Sequence, residues 1–244
     1  MCAEQALAVN PGFFSRMAMQ RPWVWAKTAS SLDGRIALPN GQSQWITSAQ
    51  AREDGHRWRA RSCVVLTGYG TVAADDPLLT VRGVDTPRQP VKAVVDTRFE
   101  ISENARLFDG SPVWVFTCHV DAAKAQRLAA RNVTVVPMPA VNGRVDLNAM
   151  FAFMATQSVN EVHVEAGARL TGALLMAGCI DELLMYMAPA VLGQGIGMMA
   201  FPALESLDQA HRFQFLDHTL VGPDLRVRLR NPSRWSALAA SVLS

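Results

Sequence analysis

One short stretch, residues 162–175, constrains the fold more than any other part of the sequence. It begins as an apolar run that ends in Glu165 and Gly167, and helical spacing follows. The apolar positions at i, i+4 and i+7 are Leu170, Leu174 and Ala177. Gly178 comes next, where a helix commonly ends. The pattern predicts a buried strand that turns sharply into a helix.

The start of such a helix is a candidate anion site. Its first amide groups are unpaired, and the positive end of the helix dipole points the same way. Gly167 and Gly172 would let a phosphate approach the backbone without meeting a Cβ atom. The alternative is that Gly167 only makes the turn and Gly172 only allows close packing. The spacing matches neither the dinucleotide fingerprint nor the P-loop, so the residues alone leave both interpretations open.

Composition excludes several classes of protein. Half of the 244 residues are apolar, which suffices for one large core or two small ones. With 23 basic and 21 acidic residues the net charge is +2, which does not indicate a nucleic-acid or membrane surface. The first twenty residues lack a signal-peptide pattern, and no apolar run approaches transmembrane length. The cysteines form no CxxC pair and are expected to be reduced thiols: Cys2, Cys63, Cys118 and Cys179. We therefore expect a soluble cytoplasmic protein.

Strand and helix patterns alternate along most of the chain. Strands are expected at 23–30, 62–68, 91–96, 112–117, 133–136 and 180–188, and a hairpin at 212–220 and 225–229. This order predicts an α/β domain with a mainly parallel sheet and an antiparallel edge. Residues 1–20, with the turn signal Asn10-Pro11-Gly12, are expected to be a lead-in segment outside the core.

Several polar residues are candidate helix caps. Thr47 and Gln50 fit a capping box for a helix over 48–61, and Thr71 is placed to cap the short helix that follows the second strand. Asp121 and Asp146 are predicted to cap two later helices. The helix over 48–61 has one basic face, which is usually solvated, made by Arg52, His56 and Arg59.

The chemistry that the residues alone indicate is limited. Asp96-Thr97-Arg98 follows a buried strand where a nucleotide-binding sheet meets the adenosine ribose. The acid would favour a free 2′-hydroxyl, and the hydroxyl and arginine a 2′-phosphate, so the choice stays open. No Ser-His-Asp or Cys-His arrangement is visible. His163-Val164-Glu165 matches half of a zinc deaminase signature, but the PCxxC half is absent, so we expect a structural imidazole and no metal.

Four separated motifs, in order, resemble the reductase domain of the bifunctional riboflavin-biosynthesis deaminase/reductase over about residues 21–230. They are KTASSLDGR at 27–35, SQWITS at 43–48, ADDPLLTVR at 74–82 and VEAG at 164–167. The resemblance implies a dihydrofolate-reductase-like fold. It also implies use of NADPH to reduce the ribosyl group of 5-amino-6-(5-phosphoribosylamino)uracil to a ribityl chain.

The resemblance also implies site residues. The NADPH contacts are expected at Ala29, Trp45, Thr71, Asp75, Thr97 and the turn of Gly167, Ala168, Arg169, Leu170, Thr171, Gly172 and Ala173. The contacts to the phosphorylated aminopyrimidine substrate are expected at Ser43, Arg59, Leu79, Arg82 and Glu165. Both arginines can hold a phosphate through paired N–H donors. Lys27 and Asp76 are the candidates for proton donation or relay, although either can be structural.

The family's deaminase motifs do not occur in these 244 residues, so we expect no deaminase activity from this chain. Residues 1–20 resemble the segment that joins the two domains, 21–235 the reductase domain, and 236–244 a C-terminal tail. The resemblance suggests a homodimer that uses the 180–220 strands. Two alternatives remain: a reductase of a pterin or dihydrofolate, and a non-catalytic nucleotide-binding module.

Overall fold

The computed structural model of the protein describes residues 2–243. The helices in this range are α1 (Cys2–Val9), α2 (Pro11–Met19), α3 (Ala49–Arg61), α4 (Tyr69–Asp75), α5 (Ala122–Ala129), α6 (Leu147–Thr156), α7 (Ala168–Met176) and α8 (Pro232–Leu243). The strands are β1 (Trp23–Ser31), β2 (Arg35–Ala37), β3 (Val64–Gly68), β4 (Val91–Val95), β5 (Val113–Thr117), β6 (Val133–Pro137), β7 (Ala140–Val141), β8 (Arg144–Val145), β9 (Glu161–Val164), β10 (Glu182–Ala188), β11 (Ile196–Gly197), β12 (Gln214–Val221) and β13 (Asp224–Arg230).

A nine-stranded sheet organises the molecule, in the order β12-β13-β10-β1-β9-β3-β4-β5-β6. The neighbours from β10 to β6 pair in parallel, whereas β13 pairs antiparallel with both β10 and β12. The predicted fold, a mainly parallel sheet with flanking helices and a C-terminal antiparallel hairpin, is confirmed. Strand β9 comes late in the chain but lies between β1 and β3, so these three strands are side by side at the centre of the sheet.

The central strands are buried because helices cover both faces of the sheet. Val64, Val65 and Leu66 of β3 are fully buried, as their unbroken apolar run requires. The largest cluster of the core lies between these strands and the helices α6 and α7. None of the helices within residues 2–243 has the length and apolar character needed to span a bilayer.

Two of the four predicted helix caps are correct, and one is displaced by a residue. Asp121 accepts a hydrogen bond from the Lys124 amide at 2.9 Å, and Asp146 caps α6 in the same way. The capping box at Thr47 is wrong: the N-cap of α3 is Ser48, whose hydroxyl accepts from Ala51 N at 3.2 Å. Thr47 is itself buried, and its carbonyl accepts a hydrogen bond from Arg52 at 2.8 Å.

The expectation that residues 1–20 lie outside the core is wrong. Asn10 does not make a turn but caps α2, because Pro11 suits the first position of a helix. The two N-terminal helices pack on α8, and Leu7 and Leu238 are both fully buried beside Trp23. Helix α8 also runs continuously through residues 235 and 236, where the tail was predicted to begin. The apolar partners are more than two hundred residues apart, so local pattern could not pair them.

Candidate active site

Glu165 lies at the carboxyl end of β9, in the middle of the sheet. Its amide donates to Leu66 O at 2.8 Å, and its carbonyl accepts from Thr67 Oγ1 at 2.7 Å. Both partners belong to β3, so the backbone that carries the carboxylate is fixed from one side. Ligands of open α/β sheets bind at these strand ends, which makes Glu165 the natural centre of a site.

Arg59 of α3 forms a bidentate salt bridge with this carboxylate. Arg59 Nε lies 2.8 Å from Glu165 Oε1, and Nη2 lies 2.9 Å from Oε2. Arg59 Nη1 also donates to the carbonyl of Thr80. Burial opposes the charged form of Glu165, but the Arg59 guanidinium and His163 hold the pKa of the carboxyl well below its usual range. This part of the basic face of α3 therefore points into the protein and not into solvent.

Two more basic side chains face the same carboxylate. Lys27 of β1 lies one residue beyond Ala26, which pairs with Val164, so it reaches the sheet end beside Glu165. Burial lowers the pKa of the Lys27 ammonium, Glu165 offsets part of that effect, and Arg59 adds to it. His163 is buried, and its Nε2 lies 3.4 Å from Glu165 Oε1. One acid is thus surrounded by an arginine, a lysine and an imidazole.

The turn into α7 is joined to α4 by Thr71, whose predicted role as a helix cap is wrong. Thr71 was expected to cap its own helix, but Gly68 is the N-cap of α4 and Thr71 lies within the helix. Its hydroxyl instead accepts from Gly167 N at 3.1 Å, 96 residues along the chain. The next amides, at 168–170, begin α7 and have no acceptor within the helix. They present a row of N–H donors three to five residues beyond Glu165.

The two glycines of this turn differ in what surrounds them. A Cβ on Gly167 would meet only Thr71 Oγ1, at 3.7 Å, so this position is open to an incoming group. A Cβ on Gly172 would lie 2.0 Å from Ala200 O, and Ala200 N donates to Ala168 O at 2.9 Å. Gly172 therefore admits a crossing backbone segment, which is the close-packing interpretation. Only Gly167 leaves space for a phosphate.

The residues present fit a nicotinamide dinucleotide. The open cradle at Gly167 and the free amides of α7 suit a pyrophosphate. On β1, the hydroxyls of Thr28 and Ser30 are buried without a hydrogen-bond partner in the described part of the chain. Ala29 lies between them and is partly exposed. Unpartnered buried hydroxyls of this kind are costly unless a bound group supplies the missing bond.

The acid after β4 is turned away from the proposed ribose position. Asp96 is buried, and its Oδ2 accepts from Ile101 N at 2.7 Å, so it holds the following loop. Thr97 is partly exposed, and the Arg98 side chain is 75% exposed. The sequence left open whether this position suits a free 2′-hydroxyl or a 2′-phosphate. The accessible groups are the Thr97 hydroxyl and the Arg98 guanidinium, which are the two that suit a 2′-phosphate.

The segment after α4 carries the second arginine. Leu79 is buried and has a left-handed φ of 55°, which turns the chain back along α3. Arg82 N then donates to His56 Nδ1 at 3.2 Å. The Arg82 guanidinium is exposed and forms no ion pair or side-chain hydrogen bond with any residue in 4–242. Arg82 is thus available to a ligand, whereas most donors of Arg59 are already used.

Asp76 and three other predicted residues lie at the rim. Asp76 ends α4 with a φ of 39°, and its Oδ1 accepts from Arg106 N at 2.8 Å, which is a structural task. Trp45 is 68% exposed and stacks on the Arg52 guanidinium at 4.1 Å. Asp75 is exposed, and Ser43 is partly exposed, as Glu165 is. No ion pair or hydrogen bond links these side chains to Glu165 within the described residues, and no group of metal-ligating side chains occurs there.

Sequence reasoning did not assign two residues of this region. His56 was placed on the basic face of α3, and the i, i+3 spacing to Arg59 is the signal that could have added it to the site. His163 was predicted to be structural. His163 and Glu165 are two residues apart at the end of a strand, so both side chains lie on one side of β9.

Comparison with known proteins identifies the family. Residues 22–227 match the family model described as the RibD C-terminal domain. The chain belongs to the RibD C-terminal domain family. Riboflavin biosynthesis protein RibD of Escherichia coli K12 is 37% identical over 239 residues, a match that covers 92% of this chain and 64% of that protein.

Solved structures agree with this membership. A structure of Acinetobacter baumannii RibD superposes with a TM-score of 0.83 at 36% identity and covers 94% of this chain and 63% of that one. The riboflavin biosynthesis reductase Rib7 of Saccharomyces cerevisiae shares the fold, with a TM-score of 0.66 at 21% identity, and covers 92% of this chain and 98% of that one. The chain thus spans a little under two thirds of the RibD proteins that it matches.

Proposed function

We propose that this chain reduces the ribosyl group of 5-amino-6-(5-phosphoribosylamino)uracil to the ribitylamino product with NADPH. Family membership supports this activity. The single observation that carries it is the Arg59–Glu165 bridge, with distances of 2.8 and 2.9 Å, which sets a fixed carboxylate beside the free amides of α7. A cofactor site and a charged substrate site thereby lie next to each other.

The charge of the site supports a phosphorylated substrate. Lys27, Arg59 and Arg82 are basic, and Glu165 is the acid that faces them, so the site is net positive. A phosphate monoester carries nearly two negative charges at neutral pH and is well held by a guanidinium. We assign the phosphate to Arg82, with Ser43 and Leu79 near it. We assign to Glu165 the acceptance of hydrogen bonds from sugar hydroxyls or ring N–H groups.

NADPH supplies the hydride when bound. In our proposal the turn from Gly167 to Ala173 holds its pyrophosphate through the free amides at 168–170, and Thr71 keeps that turn in place through its bond to Gly167 N at 3.1 Å. Thr97 and Arg98 suit a 2′-phosphate, because Asp96 is committed to the Ile101 amide. Ala29, Trp45 and Asp75 complete the proposed NADPH contacts at the strand ends and the rim.

Lys27 is the better candidate for moving a proton. The ribose ring must open before hydride can reach C1′, and opening needs a proton at the ring oxygen. Burial lowers the pKa of Lys27, which makes its ammonium a stronger acid than an exposed one. Asp76 instead uses Oδ1 to hold Arg106 N at 2.8 Å. The main contribution of the protein is then to hold C1′ and the nicotinamide close together.

We further propose a cytoplasmic homodimer. Of the region predicted at 180–220, β10 is paired on both sides, so we assign the contact to 191–220. This region exposes Leu207 to 85%, Phe215 to 74% and Leu220 to 72% of their surface. Strand β12 is one of the two edges of the sheet, and an exposed apolar edge is suited to a second copy. The described cysteines at 63, 118 and 179 are unpaired, which suits a reducing compartment. Sedimentation of wild type and Phe215→Asp tests the dimer: the variant is expected to sediment as a monomer.

The activity is tested by following NADPH oxidation with the ribosylaminouracil phosphate. We expect turnover and a product two hydrogens heavier, and no turnover with dihydrofolate. Arg59→Ala is expected to abolish turnover, and the matched control Arg57→Ala to keep it. Arg57 is on the same helix, but its only ion pair among the described residues is with the exposed Glu53. Oxidation with dihydrofolate alone would refute the substrate, and NADPH binding without turnover on either compound would favour a binding module.

A further inference from the structure

His56 receives a hydrogen bond from the backbone of the free arginine. Its Nδ1 lies 3.2 Å from Arg82 N and is the acceptor. His56 precedes Arg59 by three residues on α3, so the two side chains share one face of the helix. Because Arg59 is bridged to Glu165, this face of α3 contacts both halves of the proposed substrate site.

Hydrogen bonds hold each residue of the segment 80–82, which ends in Arg82. Arg59 donates to the carbonyl of Thr80. Val81 is clamped by Gln89, which accepts from its amide at 2.7 Å and donates to its carbonyl at 3.2 Å. Arg82 N on His56 is the last of these bonds, and Gly83 follows with a φ of 67°. The His56 bond therefore decides where the Arg82 side chain leaves the backbone.

We propose that His56 is a positioning residue, which places Arg82 for the phosphate of the substrate and does so only while its imidazole is neutral. The proposal rests on the proposed function, because it takes the phosphate to be the ligand of Arg82. A protonated imidazole carries hydrogen on both ring nitrogens and cannot accept from Arg82 N. Protonation would therefore release the end of the segment.

The charges around His56 favour the neutral form. Burial lowers the pKa of His56 to about 4, and the cations Arg59 and Arg82 act in the same direction. Of the other groups that face it, Glu165 beyond β9 opposes this shift and Lys27 on β1 adds to it. The folded-state value lies below the ordinary value of 6.5, so the bond is intact at neutral pH and is lost as the pH falls toward about 4.

Two variants separate positioning from packing. His56→Leu removes the acceptor and is expected to raise the KM for the aminouracil phosphate about tenfold, the effect of one unpaired amide, with kcat and the KM for NADPH nearly unchanged. His56→Asn keeps an acceptor, since Asn Oδ1 is the same number of bonds from the backbone as His Nδ1, and is expected to restore the wild-type KM. Arg57→Ala is the matched control on the same helix.

A double variant identifies the route of the effect. If His56 acts through Arg82, His56→Leu adds nothing to the KM of Arg82→Ala. Additive effects, a fall in kcat as large as the rise in KM, or an Asn variant as impaired as Leu would each overturn the proposal. Nitrogen NMR of labelled histidine should show His56 with hydrogen on Nε2 only and still neutral at about pH 5.5, where an ordinary histidine is mostly charged. A charged ring at that pH, or hydrogen on Nδ1, would also overturn it.

Failure of the proposed function is a separate outcome. If wild-type chain does not oxidise NADPH with the aminouracil phosphate, the activity is refuted, and titration with ribose 5-phosphate then decides the role of His56. His56→Leu and Arg82→Ala should weaken that binding to the same degree. Equal binding by wild type and His56→Leu would refute the link between the two residues.

Discussion

Replacing Gly172 by alanine tests how α7 is fixed in place. A methyl group there would lie 2.0 Å from Ala200 O and 2.6 Å from Ala200 C. Those are backbone atoms and cannot rotate away, so the crossing segment must move. Movement also strains the bond from Ala200 N to Ala168 O, now 2.9 Å. Because Ala168 begins the row of amides proposed to hold the pyrophosphate, the change should reach the cofactor site.

The expected size follows from three opposing contributions. Overpacking costs about 1–3 kcal/mol and a lost backbone hydrogen bond about 1 kcal/mol. Alanine in place of glycine within a helix recovers about 1 kcal/mol. The net expectation is that Gly172→Ala lowers the free energy of unfolding by about 1–3 kcal/mol. Gly55 lies inside α3, and no atom from outside that helix lies within 4 Å of the place that a methyl group would take. Gly55→Ala should therefore raise the free energy of unfolding by about 1 kcal/mol.

Urea unfolding of wild type and the two alanine variants tests both expected changes in the free energy of unfolding, the decrease for Gly172→Ala and the increase for Gly55→Ala. The KM for NADPH is the second measurement, and it should rise for Gly172→Ala and stay constant for Gly55→Ala. A Gly172→Ala protein as stable as Gly55→Ala would show that Ala200 does not cross α7 at this point. Loss of stability with an unchanged KM would separate the crossing segment from the cofactor site.

Three further predictions concern other charged groups. Asp181→Ala should lower the free energy of unfolding by about 3 kcal/mol in urea, because this fully buried carboxylate neutralises two arginines, whereas the exposed Asp85→Ala should not. Arg98→Ala should raise the KM for NADPH but not for NADH in steady-state kinetics, and an equal effect on both would reject its contact with the 2′-phosphate. Burial lowers the pKa of Lys27 and Glu165 offsets part of this effect, so Glu165→Gln should move the alkaline limb of the kcat profile to lower pH. An unmoved limb in pH–rate measurements would argue against Lys27 as the proton donor.

Local features of the sequence predicted local features of the structure. The run from Val162 to Gly178 specifies a buried strand, a glycine turn and an apolar helix stripe, and the structure has β9 and α7 there. Gly178 has the left-handed φ of 64° that its position after the helix requires. The alternation of strands and helices likewise predicted the parallel sheet, because that order has few compact solutions.

Residues whose partners are remote could not be placed in the same way. Thr71 fits a local cap as well as it fits its actual bond to Gly167 N, and only the assembled sheet brings the two together. In the sequence, Asp96 suits the role of a ribose ligand as well as that of a loop anchor. The hydrogen bond that it accepts from the Ile101 amide makes it the loop anchor. The apolar side of α1 packs in part against Leu238 of α8, more than two hundred residues away, so the local pattern could not assign Leu7 to the core.

The two arginines expected to share the phosphate have different tasks in this arrangement. Arg59 spends its paired donors on both oxygens of Glu165 and a third on the carbonyl of Thr80, so it fixes the acid and the neighbouring loop before any substrate arrives. Arg82 has its backbone held by His56 and its guanidinium unused among the described residues. A phosphate that binds Arg82 need not break the bridge to Glu165, whereas one that bound Arg59 would have to compete with a buried carboxylate. In the proposed complex, Glu165 is thus kept for the sugar or the ring, and Arg82 is the preplaced cation for the phosphate.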